Sequence, residues 1–346
     1  MQLRVTVEEW PALRLRYGFQ VKEQRPESEI EGRDLVPGLS ADLTRRTLFG
    51  RAIAVGGAVE WQRRERLGRV FLDTSSLFGL PIGSSLVAER SREDFATATL
   101  ITDRSSLTWG QRARVASDLS LSYAYRFERN HTFDTRPADP DSFLFDITIN
   151  IARLNGAVAW DSRDDPGDPT RGSLASFSLG YASDALGSDI QFVRSVTQAY
   201  HFRSWRGLVF ASAARTGVVV PLGGQDIIPS ERFFGGGART VRGAAEGGLG
   251  PCDFFGDAAG SEVLAVFNQE VRFPLYRWLR GVGFVDAGNV FARPRDVSLR
   301  DLVGSIGVGL RVASPFALLR ADYARPIWGE PAGSSGRWSV GIGHAF

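Results

Sequence analysis

Glu231-Arg-Phe-Phe-Gly-Gly-Gly-Ala-Arg-Thr-Val-Arg-Gly243 packs three arginines and four glycines into thirteen residues, with two phenylalanines as its only large apolar side chains. No regular helix or strand suits such a stretch. Gly235, Gly236 and Gly237 in succession favour positive φ or a close approach of backbone to backbone. Arg242, between Val241 and Gly243, then carries a planar, permanently charged guanidinium on a narrow tip. A cation held there calls for a fixed anion. Two lie downstream in alternating runs: Glu270 in Asn268-Gln-Glu-Val-Arg-Phe-Pro-Leu275 and Asp286 in Gly283-Phe-Val-Asp-Ala-Gly-Asn-Val-Phe291. The expectation is a long loop, residues 222–261, tucked inside a β-barrel and pinned to its wall through Arg242, Asp286 and Glu270.

Alternation extends outward from that loop in both directions. In Leu119–Phe127, Leu119, Leu121, Tyr123, Tyr125 and Phe127 share one face and Ser120, Ser122, Ala124 and Arg126 the other. Asp146, Thr148 and Asn150 oppose Phe145, Ile147 and Ile149, and Ser176, Ser178 and Gly180 oppose Phe177, Leu179 and Tyr181. A soluble sandwich also alternates, but an opposite face that is polar or tiny in segment after segment suits a wide barrel with lipid on one side and water on the other. Dividing the chain at its turns gives about sixteen strands, the even number that a closed antiparallel single-chain barrel requires.

The totals agree. The 346 residues include 39 glycines, 16 prolines and 11% aromatic residues, as expected of strands joined by many turns. No apolar run reaches the roughly 18 residues of a transmembrane helix, and a mean hydropathy of −0.11 fits a barrel whose apolar residues are every second one. A net charge of +2 without basic blocks gives no sign of nucleic-acid binding. One cysteine, Cys252, rules out an internal disulfide framework, and with histidines only at 131, 201 and 344 there is no metal-ligand spacing. No cofactor is expected. Four aspartates between Asp161 and Asp168 lack the pattern of a calcium loop, and the Asp-Pro and Pro-Gly pairs among them read as turn chemistry. There is no Gly-x-Ser-x-Gly elbow, no nucleophile with a matching base and no phosphate-loop lysine, so an enzyme is not expected.

Taken in order, these motifs resemble the bacterial surface-antigen barrels of the BamA/TamA type. Arg232-Phe-Phe-Gly-Gly236 with Val241-Arg-Gly243 resembles that family's sixth extracellular loop, which folds back into the lumen. Phe284-Val-Asp-Ala-Gly-Asn-Val-Phe291 resembles the strand whose inward aspartate receives the arginine, Glu270-Val-Arg-Phe-Pro-Leu275 resembles the preceding strand, and Asp161–Gly172 resembles the mid-barrel periplasmic turn. The chain ends on an alternating Trp338-Ser-Val-Gly-Ile-Gly-His-Ala-Phe346, as outer-membrane barrels do. Ala244 stands where an aromatic often follows the glycine, and His344 where the terminal pattern usually has one.

The resemblance implies a transmembrane antiparallel barrel over residues 13–346 in a bacterial outer membrane, with residues 1–12 as the remnant of a periplasmic POTRA region. It also implies an insertase or translocase whose partners are membrane lipid, unfolded outer-membrane or secreted polypeptides, and periplasmic accessory proteins. Its first and last strands would form a lateral seam, here carrying Leu13, Leu15 and Tyr17 on one side and Trp338, Gly341, Gly343 and Phe346 on the other. A two-partner-type polypeptide secretion pore and a passive porin-like barrel are the alternatives.

Overall fold

The structure is a computed structural model that describes residues 12–24, 34–48, 51–62, 65–76, 79–94, 100–134, 146–252, 259–313, 318–329 and 335–345. Residues 1–11, Phe145 and Phe346 therefore lie outside the described residues, as does a short part of the long loop.

Sixteen strands form one sheet in strict sequence order. They are β1 (Leu13–Gln24), β2 (Asp34–Arg45), β3 (Ile53–Gln62), β4 (Glu65–Thr74), β5 (Ile82–Asp94), β6 (Leu100–Arg114), β7 (Leu119–Asp134) and β8 (Asp146–Asp161). There follow β9 (Gly172–Ala182), β10 (Phe192–Trp205), β11 (Leu208–Pro221), β12 (Val263–Tyr276), β13 (Leu279–Phe291), β14 (Val303–Ala313), β15 (Leu318–Trp328) and β16 (Arg337–Ile342). β7 runs on through Asn130 to Asp134, with His131 and Phe133 stacked at 4.8 Å. β10 and β11 are joined by a tight reversal at Trp205–Leu208, with Arg206 and Gly207 both at positive φ.

The faces are inverted relative to a soluble protein. Leu121, Tyr123, Ile147, Phe177, Leu179 and Tyr181 are exposed, whereas Gly180 on the opposite face is buried. Apolar residues turned outward on strands of 10–16 residues suit contact with lipid, and the polar face then needs cover of its own.

The chain divides into two compact units. In the first, which holds β1 to β6 with most of β7, the polar face carries separate, partly exposed pairs. Arg14 lies 3.8 Å from Asp42, and Arg126 and Arg104 both reach Glu128, at 2.7 and 3.4 Å. In the second, which holds most of β8 and all of β9 to β16, the segment between β11 and β12 lies on the polar face and buries it. The register there sets Asn268 opposite Asp286, Glu270 opposite Phe284, Phe284 opposite Gly307 and Gly309 opposite Asp322. A Cβ on Gly307 would come within 2.3 Å of the Phe284 ring and one on Gly309 within 1.9 Å of Asp322 Oδ1, so the small residues of β14 make room for the large ones beside them.

Candidate functional site

The described parts of the segment 231–261, residues 231–252 and 259–261, are bridged at Phe233 and Ser261 and turn back on themselves near Gly235. At its base Phe233 and Ser261 exchange backbone hydrogen bonds of 2.8 and 2.9 Å. The Phe233 ring occupies the space above Gly217 of β11, where a Cβ would sit 2.4 Å from it, and Arg194 of β10 stacks on that ring at 4.4 Å. Glu231 accepts two hydrogen bonds from Arg153 of β8, at 2.9 and 3.0 Å. Arg232 donates to the carbonyls of Ile227 and Ala259 and so ties the two limbs together.

The three glycines have separate tasks. Gly235 lies so close to β13 that a Cβ would be 2.8 Å from Val290. Gly236, at φ 104°, has the Ala245 carbonyl where a Cβ would be, so the chain doubles back there. Thr240 closes the turn by accepting from the Gly236 amide and donating to its carbonyl, at 2.8 and 2.7 Å. Gly237 is also at positive φ. Beyond the turn, Val241 is buried with Ala244, Leu249, Val290 and Val303 in an apolar cluster that carries the tip down onto the sheet. Gly243 lies against the backbone of Ala324 in β15, at φ 91°.

Arg242 then reaches both anions. Its Nε and Nη2 donate to the two oxygens of Asp286, each at 2.7 Å, and its backbone amide donates to Asp286 Oδ2 at 3.1 Å. Nη1 donates to Glu270 Oε1 at 2.6 Å, and the guanidinium stacks 3.4 Å from the Phe284 ring centroid. Arg242 is 1% exposed, and Glu270 and Asp286 are fully buried. Loss of hydration alone would lower the arginine pKa, but the hydrogen bonds and charge of Asp286, with Glu270 and Asp322 behind it, raise it above the ordinary value.

Around this core is a second ring of groups, of which Asn268 and Arg272 share the face of Glu270 in its alternating run, while Asp322, Arg311, Arg320 and Arg215 lie outside the sequence motifs. Asp322 of β15 lies 3.7 Å from Arg242 and accepts from Arg311 of β14 at 2.5 Å. Arg272 donates to Glu270 Oε2 at 3.1 Å, Asn268 bridges Asp286 and the Thr240 carbonyl, and Arg320 donates to the Ala238 carbonyl at 3.0 Å. Arg215 donates to the Arg239 carbonyl and to Asn268. Strand parity was the available signal for Asp322 and Arg320, since both are two or four residues from Ala324, beneath Gly243. Nothing in the sequence connected Arg153 with Glu231.

The turn Asp161–Gly172 lies at the other end of these strands. Asp164 accepts from the amides of Asp165, Thr170 and Arg171 and from the Thr170 hydroxyl, which holds its carboxyl well below the usual range. This is turn chemistry, and no cluster of metal-ligating side chains occurs among the described residues. Asp168 reaches across to accept from Arg280 of β13, at 2.6 Å, and from His344 just beyond β16, at 2.9 Å. The His344 hydrogen bond, with those from Arg280, lowers the Asp168 carboxyl to about 2 against partial burial. Burial lowers the imidazole of His344, partly offset by Asp168.

The remaining expected residues sit on the terminal strands. Leu13, Leu15 and Tyr17 are exposed along one face of β1. On β16, Trp338 is exposed and tilts against Tyr323 at 5.1 Å. Gly341 leaves room for Arg320 of β15, whose Nε would be 2.9 Å from a Cβ, and Gly343, at φ 82°, donates its amide to the Leu318 carbonyl.

Comparison with known proteins follows the same outline. The Omp85 superfamily domain is matched over residues 37–346. The outer membrane protein assembly factor BamA of Nitratidesulfovibrio vulgaris is 29% identical over 199 residues, 54% of this chain and 24% of that protein. BamA of Neorickettsia risticii is 24% identical over 311 residues, 86% of this chain and 38% of that protein. The chain thus spans well under half the length of these two relatives. The crystal structure of Haemophilus ducreyi BamA lacking POTRA domains 1–3 superposes with a TM-score of 0.79 at 16% identity, covering 96% of this chain and 70% of that one. The fold is that of a sixteen-stranded antiparallel transmembrane β-barrel.

Proposed function

The chain belongs to the Omp85 superfamily, and we propose that it works in a bacterial outer membrane as a protein insertase or translocase, assisting the assembly or export of other polypeptides without a cofactor. The observation that carries this reading is β16. At six residues it is the shortest described strand, and its ladder with β15 runs only from Leu319–Ile342 to Ala324–Arg337. Among the described residues, Arg325–Trp328 of β15 have β14 on one side and no β16 residue opposite. A six-residue strand with so short a ladder is the one most easily displaced by an incoming extended segment, the chemistry of strand addition. An incoming outer-membrane strand would find apolar side chains facing lipid on both sides of it, such as Tyr323 and Trp338.

The pinned loop supports the same reading. Arg242, with three guanidinium hydrogen bonds and one from its backbone amide to two carboxylates, holds the loop to β12 and β13 while the edge strand exchanges partners. A passive pore has no such need.

The test is reconstitution of the protein into liposomes with a urea-unfolded outer-membrane protein as client, comparing wild type, Arg242→Ala and empty vesicles. Faster client folding with wild type and its loss in the variant is the expected result. An inserted, folded barrel that leaves the client rate at that of empty vesicles would overturn the insertase reading and favour a secretion pore.

A further inference from the structure

The end of β16 does not continue the strand. Trp338 and Val340 are exposed on its outward face, and by two-residue parity His344 belongs with them. Instead the His344 side chain is 4% exposed and Ala345 is buried. The change comes at Gly343, whose φ of 82° turns the chain inward just after its amide has donated to the Leu318 carbonyl at 2.7 Å. His344 Nε2 then donates at 2.9 Å to Asp168, in the turn between β8 and β9. In the sheet β10 to β15 lie between β9 and β16, so this contact crosses the polar side of the second unit and does not follow its wall.

The turn is stiff enough to carry such a reach. At its base Arg163 donates to both oxygens of Asp161, each at 2.8 Å, and the Asp164 amide donates to the Arg171 carbonyl at 3.1 Å. Gly172, at φ 97°, closes the base where a Cβ would sit 2.2 Å from the Ser162 carbonyl oxygen. Further out, Asp165 Oδ1 accepts from the Gly167 amide at 2.7 Å. The tip rests on two strands: Arg280 of β13 donates to both oxygens of Asp168, and Arg272 of β12 reaches the Pro169 carbonyl at 3.5 Å. Arg272 is also the donor to Glu270, which holds Arg242, so the turn stands on the same strands as the loop.

We propose that Asp168 is a positioning residue for the seam, anchoring the carboxy-terminal end of β16 to the β8–β9 turn so that the strand exchanges partners from its Arg337 end while the other end stays in place. This rests on the insertase reading above. A ladder of six residue pairs that includes Gly341 specifies register weakly, and a slip of one residue would carry Trp338 and Val340 from the lipid face to the polar face. A charge-assisted hydrogen bond to a fixed point beyond the ladder forbids that slip. β16 can then be displaced and return to the same register.

The anchor is tested first without client, on the full chain in liposomes, by hydrogen exchange. Asp168→Ala is expected to speed exchange at Val340–Gly343 by about tenfold or more, the effect of losing a charge-assisted hydrogen bond. Exchange in β9 and β10 should stay as in wild type. Asp168→Asn, which keeps an acceptor for the His344 Nε2–H, should remain close to wild type. Unchanged exchange in Asp168→Ala, or equal acceleration throughout the barrel, would overturn the anchor.

The role in partner exchange is tested with Asp168→Cys and His344→Cys, with the exposed Cys252 changed to serine, before and after joining the two thiols with a short bismaleimide. The unjoined protein should fold the client more slowly than wild type, and joining should restore the rate. No slowing before joining, or no recovery after it, would overturn the claim that this end stays in place. Should wild type itself leave the client rate at that of empty vesicles, the insertase reading fails, and the exchange experiment still decides whether Asp168 holds β16.

Discussion

Arg242 and Arg14 are both arginines facing carboxylates on the polar side of the sheet, and they differ in what covers them. Arg14 lies 3.8 Å from Asp42 with its side chain 30% exposed; Arg242 makes four hydrogen bonds to Asp286 and Glu270 at 1% exposure. Water solvates the first pair and weakens it, while the loop excludes water from the second and makes every member depend on the others. Similar side-chain pairs are therefore a solvated contact in one unit and a buried, mutually dependent one in the other. The glycine-dense loop makes that difference.

The largest test of this contrast is Arg242→Ala, which leaves Glu270 and Asp286 buried without their main counter-charge. A loss of about 3–5 kcal/mol in loop docking is expected, read as new protease cleavage within residues 232–250 in a barrel that still inserts. A double-mutant cycle with Asp286→Asn should show strong coupling; additivity would mean that the two groups act independently. Next comes Gly236→Ala, which meets the Ala245 carbonyl at positive φ. It should cost about 1–3 kcal/mol and loosen the same segment without touching a charge.

Acidification should act on the turn at the opposite end. His344 has a lowered pKa, so its contribution is complete above its ordinary 6.5 and is lost as pH falls through the folded value. Asp168 is also lowered, from 3.8 to about 2, so its contribution is complete above 3.8 and lost on approach to 2. Both signs point the same way. Hydrogen exchange at Gly167–Arg171 should speed up in two stages on acidification, and His344→Asn should abolish the upper stage alone. The smallest effect belongs to Arg14→Ala, expected to change stability by about 0–1 kcal/mol in a denaturant titration. A larger loss would show that the first unit's pairs are also shielded from water and would break the comparison.

Much of this site was legible because its components carry strong local signals. A run of glycines ending in Val-Arg-Gly has few conformational uses, and an acid within an alternating run must point to the polar face if its neighbours are Phe, Val and Leu. Asp322, Arg311 and Arg320 carried only the parity of their strands, which tells the face they take but not what they meet there. Their strands read like any others, and what gathers them around Arg242 is the register of β13 to β15 together with the space left by Gly307 and Gly309. Arg153 and Glu231, 78 residues apart, meet only because the loop base folds over β8 and β10. The Asp168–His344 contact, 176 residues apart, is of the same kind.

The sequence by itself determined the strand count, the face that each strand turns outward and the loop tip with its two nearest acids. These follow from a two-residue period and from glycine's access to positive φ, both local properties of the chain. Only the tertiary structure decided how the charges are shared. Burial, register and distance set the strength of an ion pair, and these depend on what lies across the sheet and above it, where the linear order of residues gives no measure of separation.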